Sequence, residues 1–150
     1  MINTEIRIKK LHPNAVIPQY MTTGAAAMDV SACLEESVIL LPGERRLIPT
    51  GFAVQTQPGF AAILCARSGL SFKSGIALAN GIGVIDSDYT GEVKVSLINN
   101  SDSPFTVENG MRVAQMMIIP VACATVIEVS ELEKTERGDG GFGSTGTQIK

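Results

Sequence analysis

Short apolar or alternating runs recur along this chain, each broken by Gly, Pro, Asn or Asp before it reaches helical length. Ile6 and Ile8 alternate with charged neighbours, and residues 38–41 end at Pro42-Gly43. Residues 47–48 and 52–54 flank Pro49-Thr-Gly51, and Pro58-Gly59 precedes a run over 60–65. Residues 92–98 alternate cleanly, with Val93, Val95 and Leu97 on one face. Asn109-Gly110 precedes a run over 112–120, and residues 126–129 are expected to close the core. Turn signals about every 8–12 residues, between runs of period two, predict many short strands. The expected fold is therefore all-β, a jelly roll, sandwich or barrel. One short helix is expected over residues 68–74, between Gly69 and Gly75. No internal repeat or linker interrupts this pattern.

At 150 residues the chain has room for one domain with a real core. Hydrophobic residues make up 45% and charged ones 18%, which fits a globular chain. A formal charge of −3 argues against stable nucleic-acid binding, which needs a basic surface, but leaves room for an anion held by local cations. Cys33, Cys65 and Cys123 are odd in number and far apart, with no Cys-x-x-Cys. They are expected as reduced thiols packed as small hydrophobes in a cytoplasmic protein. With His12 the sole histidine, a zinc site or a His-based triad is not expected. No apolar run has the length of a secretion signal or a membrane span, so no membrane partner is expected.

The composition shifts after about Lys134. Residues 137–146 read Arg-Gly-Asp-Gly-Gly-Phe-Gly-Ser-Thr-Gly, five of the fifteen glycines, with no Leu, Ile or Val. Such a segment has too little apolar surface to order itself. It does carry an arginine, two hydroxyls and an aromatic ring, the groups that grip phosphate and stack on a base. The expectation is a body over 1–134 and a flexible arm over 135–150 that closes over a nucleotide; the bland alternative is a polar tail. Gly138-x-Gly140-x-x-Gly143 matches the dinucleotide fingerprint as a string, but that fingerprint needs a strand before it and a helix after it.

Four further segments carry chemistry. Ala66-Arg-Ser-Gly-Leu70 joins an arginine and a hydroxyl to a helix start, an anion site or a solvated turn. In Asn80-Gly-Ile-Gly-Val-Ile-Asp-Ser-Asp-Tyr-Thr-Gly91, Val84-Ile85 runs directly into Asp86. An acid at a strand end serves as a general base or binds a sugar hydroxyl, or else closes a hairpin turn, the role that suits Asp88. Arg112 and Gln115 interrupt an apolar strand; their odd spacing places them on opposite faces, so that one can serve the fold and the other a ligand. Thr23-Gly-Ala-Ala-Ala-Met-Asp29 reads as a loop of small residues leading to an acid before a strand.

Taken together and in this order, these five segments resemble the trimeric deoxyuridine triphosphatases, the dUTP pyrophosphatases. The likeness covers residues from about 20 to 146 and rests on Arg67-Ser-Gly69, Gly83-Val-Ile-Asp-Ser-Asp-Tyr-Thr-Gly91, Arg112-Val-Ala-Gln115 and the glycine-rich string from Arg137 to Gly146. Ala27 stands where the family usually has Gly, and Ala66 where it usually has Pro. Neither departure removes a functional group.

The resemblance implies a β-jelly roll, a homotrimer with active sites shared between subunits, and hydrolysis of dUTP to dUMP and pyrophosphate. That activity limits uracil in DNA and supplies dUMP for thymidylate synthesis. By the same resemblance Asp86 activates the attacking water and touches the sugar 3′-hydroxyl, and Tyr89 forms the sugar platform that leaves no space for a 2′-hydroxyl. A hairpin around Asn80, Val84, Ile85 and Lys94 reads uracil and excludes the thymine methyl sterically. Arg67, Ser68, Gly69 and Gln115 contact phosphates. Phe142 stacks on uracil, and Arg137, Ser144 and Thr145 grip the terminal phosphate. Asp29 lies near the water shell of a Mg²⁺ carried by the triphosphate, an ion that needs few protein ligands. Two alternatives stand beside this reading. A dCTP deaminase of related fold would release ammonia from dCTP, and an idle regulatory trimer would be expected to lack Asp86, Arg67 or the tail, all of which are present.

Overall fold

The computed structural model describes residues 4–141, which hold ten strands and one helix. β1 (Arg7–Lys10), β4 (Arg45–Gln55), β8 (Glu92–Asn99) and β6 (Ile76–Leu78) form one antiparallel sheet in the order β1-β4-β8-β6. β2 (Met28–Ser31), β10 (Arg112–Pro120), β5 (Phe60–Cys65) and β7 (Gly83–Ile85) form a second, in the order β2-β10-β5-β7. β3 (Val38–Leu40) and β9 (Phe105–Val107) make a two-stranded ribbon. The all-β expectation holds, and the short helix α1 (Ser68–Ser74) falls where it was expected. Gly75 ends that helix at φ 67° in the left-handed region, its N–H donating to Ser71 O, a conformation glycine adopts without Cβ strain. No described helix is long and apolar enough to cross a membrane.

Alternation in the sequence becomes sidedness in the sandwich. Along β8, Val93, Val95 and Leu97 are buried while Lys94 is exposed and Glu92 and Ser96 are half-buried. They meet Phe52, Ile48, Ile76 and Met116 in one continuous core. Asn99 closes the far end: its amide donates to Leu40 O at 3.0 Å and Ser103 O at 2.8 Å, and its Oδ1 accepts from Ser101. Satisfying a buried amide fully in this way avoids the cost of about 1–3 kcal/mol for an unpaired polar group.

Four expectations need correction. Pro49-Thr-Gly51 does not separate two strands; β4 continues through it, with a register shift between Pro49 and Ala53. The irregular backbone is held by β8, since Thr50 Oγ1 donates to Val93 O at 2.6 Å and Gly51 N–H donates to Glu92 Oε1 at 3.0 Å. Residues 126–129 form no strand and do not close the core, because after Pro120 the chain finds no sheet partner among the described residues. Val126, Ile127 and Leu132 are 92%, 76% and 86% exposed. Cys123 lies in the same segment and is exposed; Cys65 is half-buried, and only Cys33 is packed as a small hydrophobe. Finally, β7 and β8 are not partners in a hairpin. They belong to opposite sheets, and residues 86–91 cross between them.

Candidate active site

That crossing opens a pocket. β6 and β7 are both edge strands, one in each sheet, and β7 pairs only with β5, Ile85 opposite Ala62 and Gly83 opposite Leu64. The gap between β7 and the outward face of β8 is a cavity of about 430 Å³. Asn80, Val84, Ile85, Asp86, Tyr89 and Lys94 line it, so six residues singled out from the sequence converge on one site. Leu47, Leu64, Leu78, Glu92 and Ser96 are also part of its wall. Sequence reasoning did not single these out. The strict alternation of β8 nevertheless marked Glu92, Lys94 and Ser96 as one face, opposite the buried valines.

Asp86 sits where β7 ends. Its carbonyl accepts from Tyr89 N–H at 3.2 Å, closing a turn. Its exposed carboxylate has no hydrogen-bond or ion-pair partner among the described residues, which leaves it free to accept a proton from water. Tyr89 is half-exposed, and its hydroxyl donates to Glu92 O at 3.0 Å. Glu92 is braced on both oxygens, by Gly51 N–H and by Lys94 Nζ at 3.6 Å. Behind this wall burial pushes the Cys33 thiol up, and the Glu92 carboxylate adds to the effect, so Cys33 stays a neutral packing group.

A second cluster gathers on β2, β10 and the end of β5. Asp29 is buried within β2; Gln115 stands opposite both Asp29 and Cys65 in the register. Asp29 Oδ1 accepts from Arg67 Nε at 3.2 Å and Gln115 Nε2 at 3.4 Å, and Oδ2 accepts from an Arg112 amino group at 2.8 Å. Arg67 also donates to Arg112 O at 3.2 Å. The odd spacing of Arg112 and Gln115 does not place them on opposite faces. A register shift between Arg112 and Ala114 inserts one extra residue, which reverses the alternation and brings both side chains to Asp29. Arg112 thus joins the site, an arginine whose motif was noticed but whose role was not assigned. None of Asp29, Arg67, Arg112 and Gln115 lines the 430 Å³ pocket.

Ser68 and Gly69 form the exposed first turn of α1, where no side chain caps the backbone. Arg137 is exposed and folds locally, its Nε donating to Gly140 O at 2.8 Å. Phe142, Ser144 and Thr145 lie outside the described residues. Among the described residues there is no group of three or more His, Cys, Asp or Glu able to hold a metal ion.

A pocket of mixed apolar and polar wall that includes an unpaired carboxylate, with a separate arginine cluster, suits a nucleotide. Comparison with known proteins decides which family. The dUTPase family model matches residues 13–146. The chain belongs to the dUTPase family. It is 50% identical over 148 residues to a deoxyuridine 5'-triphosphate nucleotidohydrolase of Neisseria meningitidis serogroup A, covering 97% of this chain and 99% of that one. A relative of the same name from Nautilia profundicola is 51% identical over 142 residues, covering 95% and 99%. Among solved structures, the dUTPase of Staphylococcus bacteriophage 80alpha with dUPNHPP superposes with a TM-score of 0.88 at 28% identity, covering 97% of this chain and 100% of the phage chain. The dUTPase jelly roll is therefore the fold of this chain.

Proposed function

We propose that this dUTPase-family chain hydrolyses dUTP to dUMP and pyrophosphate, with the pocket between β7 and β8 holding the deoxyuridine. The observation that carries the site assignment is the convergence of Asn80, Val84, Ile85, Asp86, Tyr89 and Lys94 on that one cavity. Uracil meets Asn80, Val84, Ile85 and Lys94; Tyr89 forms the sugar wall. Asp86 takes a proton from water as its oxygen bonds to the α-phosphorus, and the bond from that phosphorus to the bridging oxygen breaks to release pyrophosphate.

Arg67, Ser68, Gly69 and Gln115 contact the phosphates in this reading, with Arg112 beside them. Asp29 holds the two guanidiniums in a fixed orientation before substrate arrives, which lowers the reorganisation needed on binding. The donor set fits a hydrated Mg²⁺ carried by the triphosphate better than a metal held by protein. Asp29 is a lone acid, and of about four acceptor positions on a carboxylate it uses three. One position remains for a water of the ion. Mg²⁺ bound to the triphosphate neutralises its charge.

Assembly as a homotrimer with shared sites is supported by two features. The pocket and the Asp29 cluster share no residue, and the segment after Pro120 exposes Val126, Ile127 and Leu132, which no other described residue covers. Within the same reading the body spans 1–134 and the arm 135–150, with Arg137, Phe142, Ser144 and Thr145 closing over bound nucleotide. A cytoplasmic location agrees with three unpaired cysteines. Turnover in ¹⁸O-labelled water tests the point of attack. Label in dUMP is the expected result; label in pyrophosphate places the attack on the β-phosphorus and overturns the assignment of Asp86.

A further inference from the structure

The phenol of Tyr89 folds back across Gly91. Its hydroxyl donates to Glu92 O at 3.0 Å while its own N–H donates to Asp86 O at 3.2 Å. The ring is therefore anchored at its tip and at its backbone, on the segment that also carries Asp86. The far anchor is rigid, because Glu92 is tied through its side chain to Gly51 and Lys94 and through its backbone to Ala53 in β4.

Gly91 makes this arrangement sterically possible. A Cβ added there would lie 2.5 Å from Tyr89 Oη, 2.7 Å from Cζ and 3.0 Å from Cε2. Ordinary contacts between such atoms lie at about 3.5–4.0 Å, so the ring and a methyl group exclude one another. Gly91 is not among the glycines with positive φ. What glycine supplies here is clearance, not a backbone conformation denied to other residues.

We infer that Gly91 is a positioning residue for sugar selectivity, acting by allowing the tip of the Tyr89 ring to pass over position 91 with its hydroxyl on Glu92 O. The inference rests on the reading of Tyr89 as the sugar wall of a dUTP site. A methyl at position 91 displaces the ring and leaves the strand in place. The clashing atoms are the far end of a half-exposed side chain, and the pairing of Glu92 with Ala53 does not involve the ring. The displaced ring loses its anchor on Glu92 and no longer presents a fixed wall to a ribose 2′-hydroxyl.

The test compares kcat/KM for dUTP and UTP in the wild-type chain, Gly91→Ala, Tyr89→Ala, Tyr89→Phe and the double variant Gly91→Ala/Tyr89→Ala, with a melting curve for each. Gly91→Ala should melt with the wild type, raise KM for dUTP and lower the dUTP-to-UTP ratio by about tenfold, the size expected for loss of one steric contact. Tyr89→Phe, which removes the anchor without touching position 91, should move the ratio in the same direction. Adding Gly91→Ala to Tyr89→Ala should change nothing further, because the ring it acts through is gone. A folded Gly91→Ala with an unchanged ratio overturns the inference, as does an equal loss on top of Tyr89→Ala or an unchanged ratio in Tyr89→Phe. If Tyr89→Ala relaxes selectivity and Gly91→Ala does not, only the role of Gly91 falls. If the wild-type chain does not discriminate, or Tyr89→Ala leaves its ratio unchanged, the sugar-wall reading of Tyr89 fails and takes this inference with it.

Discussion

Two carboxylates in this sandwich have opposite surroundings. Asp86 is exposed at the end of β7 with no partner on its oxygens among the described residues, whereas Asp29 is buried and accepts from Arg67, Arg112 and Gln115. An unpaired carboxylate at a substrate pocket suits proton transfer; one that accepts from two guanidiniums and an amide suits holding cations in place. Asp86→Asn keeps shape but loses the proton acceptor. Turnover should fall by about 10²–10⁴-fold, with nucleotide affinity largely kept, as measured by steady-state kinetics and calorimetry. Near-normal turnover would remove Asp86 from the mechanism. Asp29→Ala should act differently, leaving Arg67 and Arg112 without their shared partner. Both guanidiniums are partly exposed and regain water, so the stability cost should stay at about 1–3 kcal/mol. The main effect should be a raised KM for the triphosphate. A variant with wild-type KM would show that Asp29 does not organise the cluster.

Sequence patterning reached the elements unevenly, for physical reasons. The buried face of β8 and the end of the short helix α1 were legible because a period of two and a terminating glycine, Gly75, are local signals. β6 and β9 were not, since three residues carry no readable period. Pro49 read as a break because the side chains that rescue its backbone, Glu92 and Thr50, come from a distant strand and from the irregular stretch itself. The shared face of Arg112 and Gln115 was hidden for a similar reason, a bulge defined by pairing with β2. The pocket residues were recognisable from their motif, while their meeting depends on residues 86–91 crossing between sheets. The segment beyond Pro120 supports a further prediction. Truncation after Lys134 removes no described residue of the buried core, so the melting temperature should hardly change while dUTP turnover is largely lost. Phe142→Ala alone should weaken catalysis, since base stacking is worth about 1–3 kcal/mol. Retained activity in the truncated chain would make the arm a polar tail.

Among the described residues the pocket and the Asp29 cluster share no side chain. The pocket offers a carboxylate and an aromatic wall, the Asp29 cluster offers arginines, and the extended segment exposes apolar side chains. Burying such side chains against another copy is favourable at about 25 cal/mol per Å². Sedimentation should therefore report a trimer, and replacing Val126, Ile127 and Leu132 together by serine should weaken assembly and activity in parallel. A fully active monomer would contradict shared sites. The reaction itself is tested most directly by incubating the chain and Mg²⁺ with dUTP, dCTP, dTTP and UTP in turn and identifying the products. Rapid release of dUMP and pyrophosphate from dUTP, with little reaction of the other three, is the predicted result. Ammonia from dCTP, or equal cleavage of dTTP and dUTP, would contradict it.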